Sequence, residues 1–196
     1  MLTKLSATPS THLQLLGSMG SGKTTTLLKL ADTLTQAGGH LAYEYLAQGQ
    51  RAYQTDTAVL TTFLLDEAQR LNRRERRRLL SAISRQDQSG LRLILSSHED
   101  LTPLFRRWRQ PLQTIDMNAL LTADLYGRML ARRLEYFALP DRPHTALSPD
   151  AVQWLYETFY PNMRDAEYFL YEVWQKETVV REVTAVVLKE LFDQIG

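Results

Sequence analysis

The chain has 196 residues, a formal net charge of +1 and no cysteine. That length suits one ordinary domain, or a core with a small appended subdomain. The missing cysteines exclude a disulfide frame and any thiolate metal site, and they fit a reducing compartment; the near-neutral charge excludes a chain that seeks polyanions over its whole surface. The opening MLTKLSATPS lacks the long apolar segment of a signal peptide, and nowhere do about 18 apolar residues run together. The expectation is therefore a cytoplasmic protein without a membrane span.

In chain order, HLQLLG at 12–17 reads as a strand, a helix is predicted from about 22 to 37, and HLAYEYL at 40–46 reads as a second strand. Between the first strand and the helix lies GSMGSGKT, Gly17 to Thr24, which matches the phosphate-loop pattern GxxxxGK(S/T) in the strand-to-helix context that the pattern needs. Gly17, Gly20 and Gly22 allow backbone conformations closed to other residues, so successive N–H groups can converge on phosphate oxygens in front of a helix dipole. The nucleotide-binding stretch is Gly17, Ser18, Met19, Gly20, Ser21, Gly22, Lys23, Thr24 and Thr25. Lys23 is expected to bridge the β and γ phosphates of ATP, and the Thr24 hydroxyl to hold Mg²⁺.

Residues 47–60 are polar and carry no clear element. TTFLLD at 61–66 reads as the third strand, so Asp66 emerges at its carboxyl end, where open α/β sheets place ligands. Asp66 is assigned to the Mg²⁺ shell, and Glu67 to polarising the water that attacks the γ phosphate. A helix from about 70 to 86, a strand LRLILSS at 91–97, a short helix near 100–109 and a strand LQTIDM at 112–117 follow. Five strands separated mainly by helices predict an α/β fold, a P-loop NTPase with a mostly parallel sheet covered on both faces.

An amphipathic helix from about 122 to 138 closes this core, which spans 1–138. The proline-bearing ALPDRPHTALSPD places a hinge at 139–147, and Ser148, Pro149 and Asp150 signal a new helix start. Three helices are predicted near 149–159, 163–176 and 179–194, with no strand signal, as a small helical subdomain over 148–196. Tyr168, Phe169, Tyr171 and Trp174 crowd its second helix, as packing or as a docking face.

If the chain is helical from Arg70 onward, a turn of about 100° per residue gathers Arg70, Arg73, Arg74 and Arg77 on one stripe, opposite Leu71, Leu79 and Ile83. That stripe is a solvated face, a contact for a neighbouring subunit, or a track for a DNA backbone.

The order of these parts resembles the AAA+ superfamily of P-loop ATPases over nearly the whole chain, as a compact member loosely similar to transposition-associated and secretion-type ATPases. The resemblance implies that the C-terminal helices form a lid. It also implies a first sensor at Ser96 or Ser97, with His98 as a stand-in, an arginine finger within FRRWRQ at Arg106 or Arg107, with Arg109 as the remaining choice, and a second sensor at Arg164 of PNMRDAEYFL. Arg164 could instead pair with Asp165 or Glu167 on its own helix. The letters DEAQ also suit the acidic box of a helicase, but the residues after the fifth strand read as helix rather than as a second large α/β module, and SSH at 96–98 is not that family's coupling motif.

The function implied is an Mg²⁺-dependent ATPase that assembles with its own copies when ATP is bound and acts on DNA or a protein partner. A P-loop nucleotide or small-molecule kinase, and a nucleotide-gated assembly switch with little turnover, are the alternatives. No NKxD segment supports guanine specificity.

Overall fold

The computed structural model describes residues 11–85, 90–137, 146–176 and 182–195. They form two compact units, one of the described residues within 11–17 and 22–117 and the other of those within 18–21 and 118–195.

The first unit is an α/β layer structure. Strands β1 (His12–Leu16), β2 (Leu41–Tyr45), β3 (Thr62–Asp66), β4 (Arg92–Ser97) and β5 (Leu112–Asp116) form one sheet in the order β2-β3-β4-β1-β5, with every neighbouring pair parallel. The sheet is thus wholly parallel, which sharpens the expectation of a mostly parallel one. Helices α1 (Lys23–Gln36), α2 (Arg73–Arg85) and α3 (Thr102–Arg107) connect the strands. Alternation along each strand explains the burial on both faces. Phe63, Leu65, Leu93 and Leu95 pack with Leu79, Leu80 and Phe105 from α2 and α3, whereas Leu64, Ile94, Leu13 and Leu15 pack with Leu27 and Leu30 from α1.

The untyped stretch after β2 is organised by one carboxylate. Glu44 accepts from the backbone N–H groups of Gln54 (2.8 Å) and Thr55 (3.0 Å) and from the Thr55 hydroxyl (2.6 Å). Arg78 ties the same stretch to α2, donating to the Tyr53 carbonyl at 2.9 Å with its guanidinium 3.8 Å from the Tyr53 ring centre.

The helix expected from residue 70 begins three residues later. Ala68–Arg70 is a separate 3₁₀ turn, and the Asn72 side chain accepts from the Glu75 N–H at 3.0 Å, which caps α2. Arg70 is therefore off the helix that carries Arg73, Arg74 and Arg77, and the continuous four-arginine stripe is corrected to three on α2 plus one on the turn before it.

The chain passes into the second unit within α4 (Met117–Leu120) and continues as α5 (Ala123–Phe137), β6 (Ala146–Leu147), α6 (Pro149–Phe159), α7 (Met163–Lys176), β7 (Glu182–Val183) and α8 (Ala185–Ile195). The sequence placed α5 with the sheet. In the structure its Tyr126 and Leu130 belong to the same core as Leu155, Leu170, Val173 and Leu188, and so to the helical unit. Trp154, Phe159, Phe169 and Phe192 extend that core, their ring centres 5.4–6.2 Å apart. Phe169 and Trp174 pack against it, but Tyr168 and Tyr171 are 65% and 61% exposed.

Two features of this unit differ in how legible they were. Ser148 caps α6 as expected, accepting from the Ala151 N–H, while Asp150 also accepts from the Ala185 N–H at 3.0 Å and so ties the starts of α6 and α8 together. The expectation of no strand here is corrected. Ala146 and Leu147 pair in parallel with Glu182 and Val183; two-residue strands are too short to show a period of two in sequence. The hinge expected at 139–147 lies outside the described residues up to 145.

Candidate functional site

The phosphate-loop sequence follows β1 directly. The Gly17 N–H donates to the Ser97 carbonyl at 3.2 Å, so the loop starts beside the carboxyl end of β4. Lys23, 5% exposed, folds its ammonium back onto the Gly17 carbonyl at 2.8 Å. Gly22 precedes α1 in the left-handed region (φ 84°), with no side chain capping the helix and no acid in its first turn. Thr24 and Thr25 are exposed on that turn, and Met19 is exposed at the loop tip. This donor set suits an anion: uncapped helix N–H groups beside a buried ammonium.

Residues 18–21 belong to the helical unit. The Ser18 N–H donates to the Asn118 side-chain oxygen at 3.1 Å, the Asn118 amide donates to the Ser18 hydroxyl at 3.0 Å, and the Ser21 hydroxyl donates to the Ser18 carbonyl at 2.9 Å. Gly20, at φ 77°, lies so close to the start of α7 that a Cβ would fall 2.8 Å from the Arg164 nitrogen and the Asn162 side-chain oxygen. Glycine is required there by conformation and by space.

Asp66 is fully buried at the end of β3. It accepts hydrogen bonds from the Ser96 hydroxyl and, at 3.2 Å, from the Tyr43 hydroxyl on the adjacent β2. Burial and the Asp66 charge push the Tyr43 hydroxyl's pKa up, which keeps it a donor. Glu67 turns the chain sharply in the left-handed region (φ 62°) and aims its N–H at Asp66 (3.1 Å) and at the Ser96 oxygen (3.0 Å). Its carboxylate meets Arg70 at 3.0 Å, the Gln69 amide at 2.8 Å and His98 Nε2 at 3.2 Å. The two acids, adjacent in sequence, thus have separate surroundings: Asp66 among neutral hydroxyls, Glu67 against a cation and an imidazole.

The structure separates the sequence candidates further. Ser96 touches both acids, whereas the Ser97 hydroxyl donates to the Glu99 carbonyl (2.7 Å) and accepts from the Glu99 N–H (2.9 Å), an ordinary loop turn. Arg106 and Arg107 are exposed at the end of α3, and Arg109 follows with φ 53°. Arg164 is exposed at the start of α7; Glu167, one of its expected partners, pairs with Arg133 of α5. On the surface of the sheet unit, Arg73, Arg74 and Arg77 are exposed.

Sequence reasoning missed Tyr43, Gln69 and Asn118. Only Gln69 left a trace, as the last letter of DEAQ; the other two are distant in sequence from the groups they touch. Among the described residues no three His, Cys, Asp or Glu side chains gather as a metal site. The residues present still fit a hard divalent ion, because one carboxylate and one hydroxyl suffice when phosphate oxygens and water complete the shell. No described helix is long and apolar enough to cross a membrane.

No protein-family model matches the chain, and no curated protein matches it. Solved structures do. A DNA replication initiation factor shares 18% identity with a TM-score of 0.62, over 89% of this chain and 58% of that one. The RuvB Holliday junction branch migration motor of Thermotoga maritima shares 18% identity with a TM-score of 0.64, over 98% and 64%. Domain III of the Thermotoga maritima replication initiation protein DnaA shares 16% identity with a TM-score of 0.62, over 98% and 88%. The chain thus spans less than two thirds of the first two. RuvB and DnaA are both AAA+ P-loop ATPases, and at these identities the likeness speaks for architecture. Together with the five-stranded parallel sheet and the loop after β1, it shows that this chain has the fold of an AAA+ P-loop ATPase.

Proposed function

We propose that the chain binds ATP with Mg²⁺ at the loop 17–25, hydrolyses it, and uses the cycle to assemble with its own copies and act on DNA. The observation that carries this reading is the buried Asp66–Ser96–Glu67 cluster at the same sheet edge from which the loop with buried Lys23 departs. The likeness to DnaA and RuvB supports it, one DnaA structure being bound to AMPPCP and single-stranded DNA. Lys23 and the first N–H groups of α1 hold the phosphates; Thr24 and Asp66 hold the ion. Bound Mg²⁺ would neutralise charge on the transferring phosphoryl group.

The remaining roles belong to this chain's own side chains. Ser96 fixes Asp66 and the Glu67 backbone, and Tyr43 holds the other Asp66 oxygen. Glu67, once its carboxylate is free, takes a proton from the attacking water. Arg164, next to the loop tip at Gly20, is the candidate second sensor, and the C-terminal helices the candidate lid. Arg106 or Arg107, both exposed at the end of α3, is the candidate finger reaching a neighbouring copy, with Arg109 as the remaining choice.

The test is phosphate release in the presence of Mg–ATP with no added acceptor. Glu67→Gln is expected to keep ATP uptake and to slow turnover about 10² to 10⁴-fold, the usual contribution of a general base. Loss of ATP binding in that variant would overturn the division of roles between Asp66 and Glu67. One observation favours the second reading, an assembly switch with little turnover: both Glu67 carboxylate oxygens are engaged, by Arg70 and Gln69 on one side and His98 on the other. ATP-dependent assembly without phosphate release would select it.

A further inference from the structure

Two concave grooves adjoin on the sheet unit and share Arg73 and Arg76 as walls. One, of about 560 Å³, is lined by the turn at 48–51, by Arg70 and by the start of α2; the other, of about 640 Å³, is lined by Arg73, Arg77, Leu104, Arg107 and Trp108. The guanidinium groups of Arg51, Arg73, Arg77 and Arg107 make no ion pair or hydrogen bond with any described residue, and all four are exposed. Arg70 and Arg76 are the exceptions: Arg76 donates to the Gln69 and Leu71 carbonyls and lies 3.6 Å from Glu99, and Arg70 pairs with Glu67. Uncompensated cations on a concave surface concentrate an anion that can enter it.

We infer that these grooves hold the phosphate backbone of single-stranded DNA, and that Arg70 couples their occupancy to Glu67. This rests on the ATPase reading above. Guanidinium groups bind phosphate oxygens bidentately, and the grooves are in the size range of small-ligand pockets, roughly 300–1,000 Å³. A flexible single strand can follow such a concave path; a duplex, a stiff convex rod with a persistence length of about 150 base pairs, cannot. The partly buried Trp108 lines the second groove beside Leu104, where a base can stack.

The coupling comes from one side chain with two neighbourhoods. Arg70 lines the first groove, and it also holds Glu67 at 3.0 Å and the Leu46 carbonyl at 2.6 Å. A phosphate entering between Arg51 and Arg73 competes for the same guanidinium. Once Arg70 turns to that phosphate, it loosens its hold on the carboxylate that must meet the attacking water.

The experiment uses the full chain and a fluorescent oligothymidylate of about 20 nucleotides. Binding is followed by anisotropy without ATP, and phosphate release is measured with and without the oligonucleotide. Four arginines neutralising one phosphate each, at ~0.7 per phosphate for a single strand, give a salt slope of about −2.8, an affinity loss of about 50-fold from 50 to 200 mM salt. Arg73→Ala with Arg77→Ala should halve that slope, and Arg132→Ala, at an exposed position of α5, should leave it unchanged. Arg70→Ala should raise turnover without DNA and bring the stimulation ratio to about 1, while Arg70→Lys keeps stimulation. A duplex of equal length bound more tightly than the single strand, a double variant with the parent slope, or an Arg70→Ala chain with the parent's stimulation ratio each overturns the inference. A chain that hydrolyses ATP but ignores the oligonucleotide also overturns it and leaves the ATPase reading intact; one that takes up no ATP yet binds the oligonucleotide with the expected slope overturns the ATPase reading and with it the coupling.

Discussion

The sheet unit buries His12, Gln14, Asp66, Glu67, Ser96 and Ser97 among its leucines, whereas among the described residues of the helical unit the buried polar ones are Ser21 and Ser148. The difference is one of chemistry. A buried polar group is tolerated only with its partners in place, and the sheet unit supplies them across strands: Tyr43 and Ser96 to Asp66, Leu93 to His12, Leu101 to Gln14. The helical unit is held by apolar volume and aromatic edges. Substitutions at the carboxyl edge of the sheet should therefore show in nucleotide chemistry, those at its other buried polar groups in pH dependence, and those in the helical core in stability alone.

The largest effect expected is from Lys23→Ala, which should abolish nucleotide uptake in calorimetry while the fold persists; an unchanged affinity would remove the loop from the proposed site. Phe169→Ala sharpens the other side of the comparison. Its ring lies 5.4–5.8 Å from those of Trp154, Phe159 and Phe192, and its loss should cost about 3–5 kcal/mol in urea unfolding. A cost below about 1 kcal/mol would show that aromatic packing does not stabilise this unit. Gly20→Ala probes the tight approach to α7 and should cost about 1–3 kcal/mol, since both a positive φ and a collision at 2.8 Å are imposed; a neutral result would mean that the loop relaxes freely.

The smallest effect is a pH dependence set by His12. Burial lowers its pKa, against a hydrogen bond with Gln110 that raises it, with nearby Arg92 lowering it further. The neutral ring accepts from the Leu93 N–H through Nδ1 at 3.0 Å. The unfolded chain then binds the proton first, so stability is level above the unfolded value near 6.5 and falls as pH drops below it, by at most about 1.4 kcal/mol per pH unit from this one group. His12→Asn should flatten that slope between pH 5 and 6.5 in chemical denaturation; an unchanged slope would assign it elsewhere.

The apolar runs that mark β1, β3 and β4, the spacing of GSMGSGKT, and the Ser148–Pro149–Asp150 start of α6 were all legible because each is a local rule read over a few residues. The start of α2 was not. Leu71, Leu79 and Ile83 do share one core, but Asn72 captures the Glu75 N–H and the helix starts only at Arg73, a competition between side-chain and backbone bonding that periodicity does not weigh. The choice between Ser96 and Ser97 was likewise undecidable in sequence. Adjacent residues on a strand point to opposite sides, and only the neighbour strand says which side carries Asp66.

The sequence by itself determined the parts and their order: a strand, a phosphate-type loop and a helix, two acids at the end of the third strand, and a helical C-terminal region. Tertiary structure alone decided the strand order β2-β3-β4-β1-β5, the pairing of β6 with β7, the Tyr43 hydroxyl on Asp66 and the grip of Arg70, Gln69 and His98 on Glu67. The reason is range. Local patterns fix which face of an element is apolar, but which elements become neighbours depends on burying those faces together, and partners such as Tyr43 and Asp66 meet only after that choice is made.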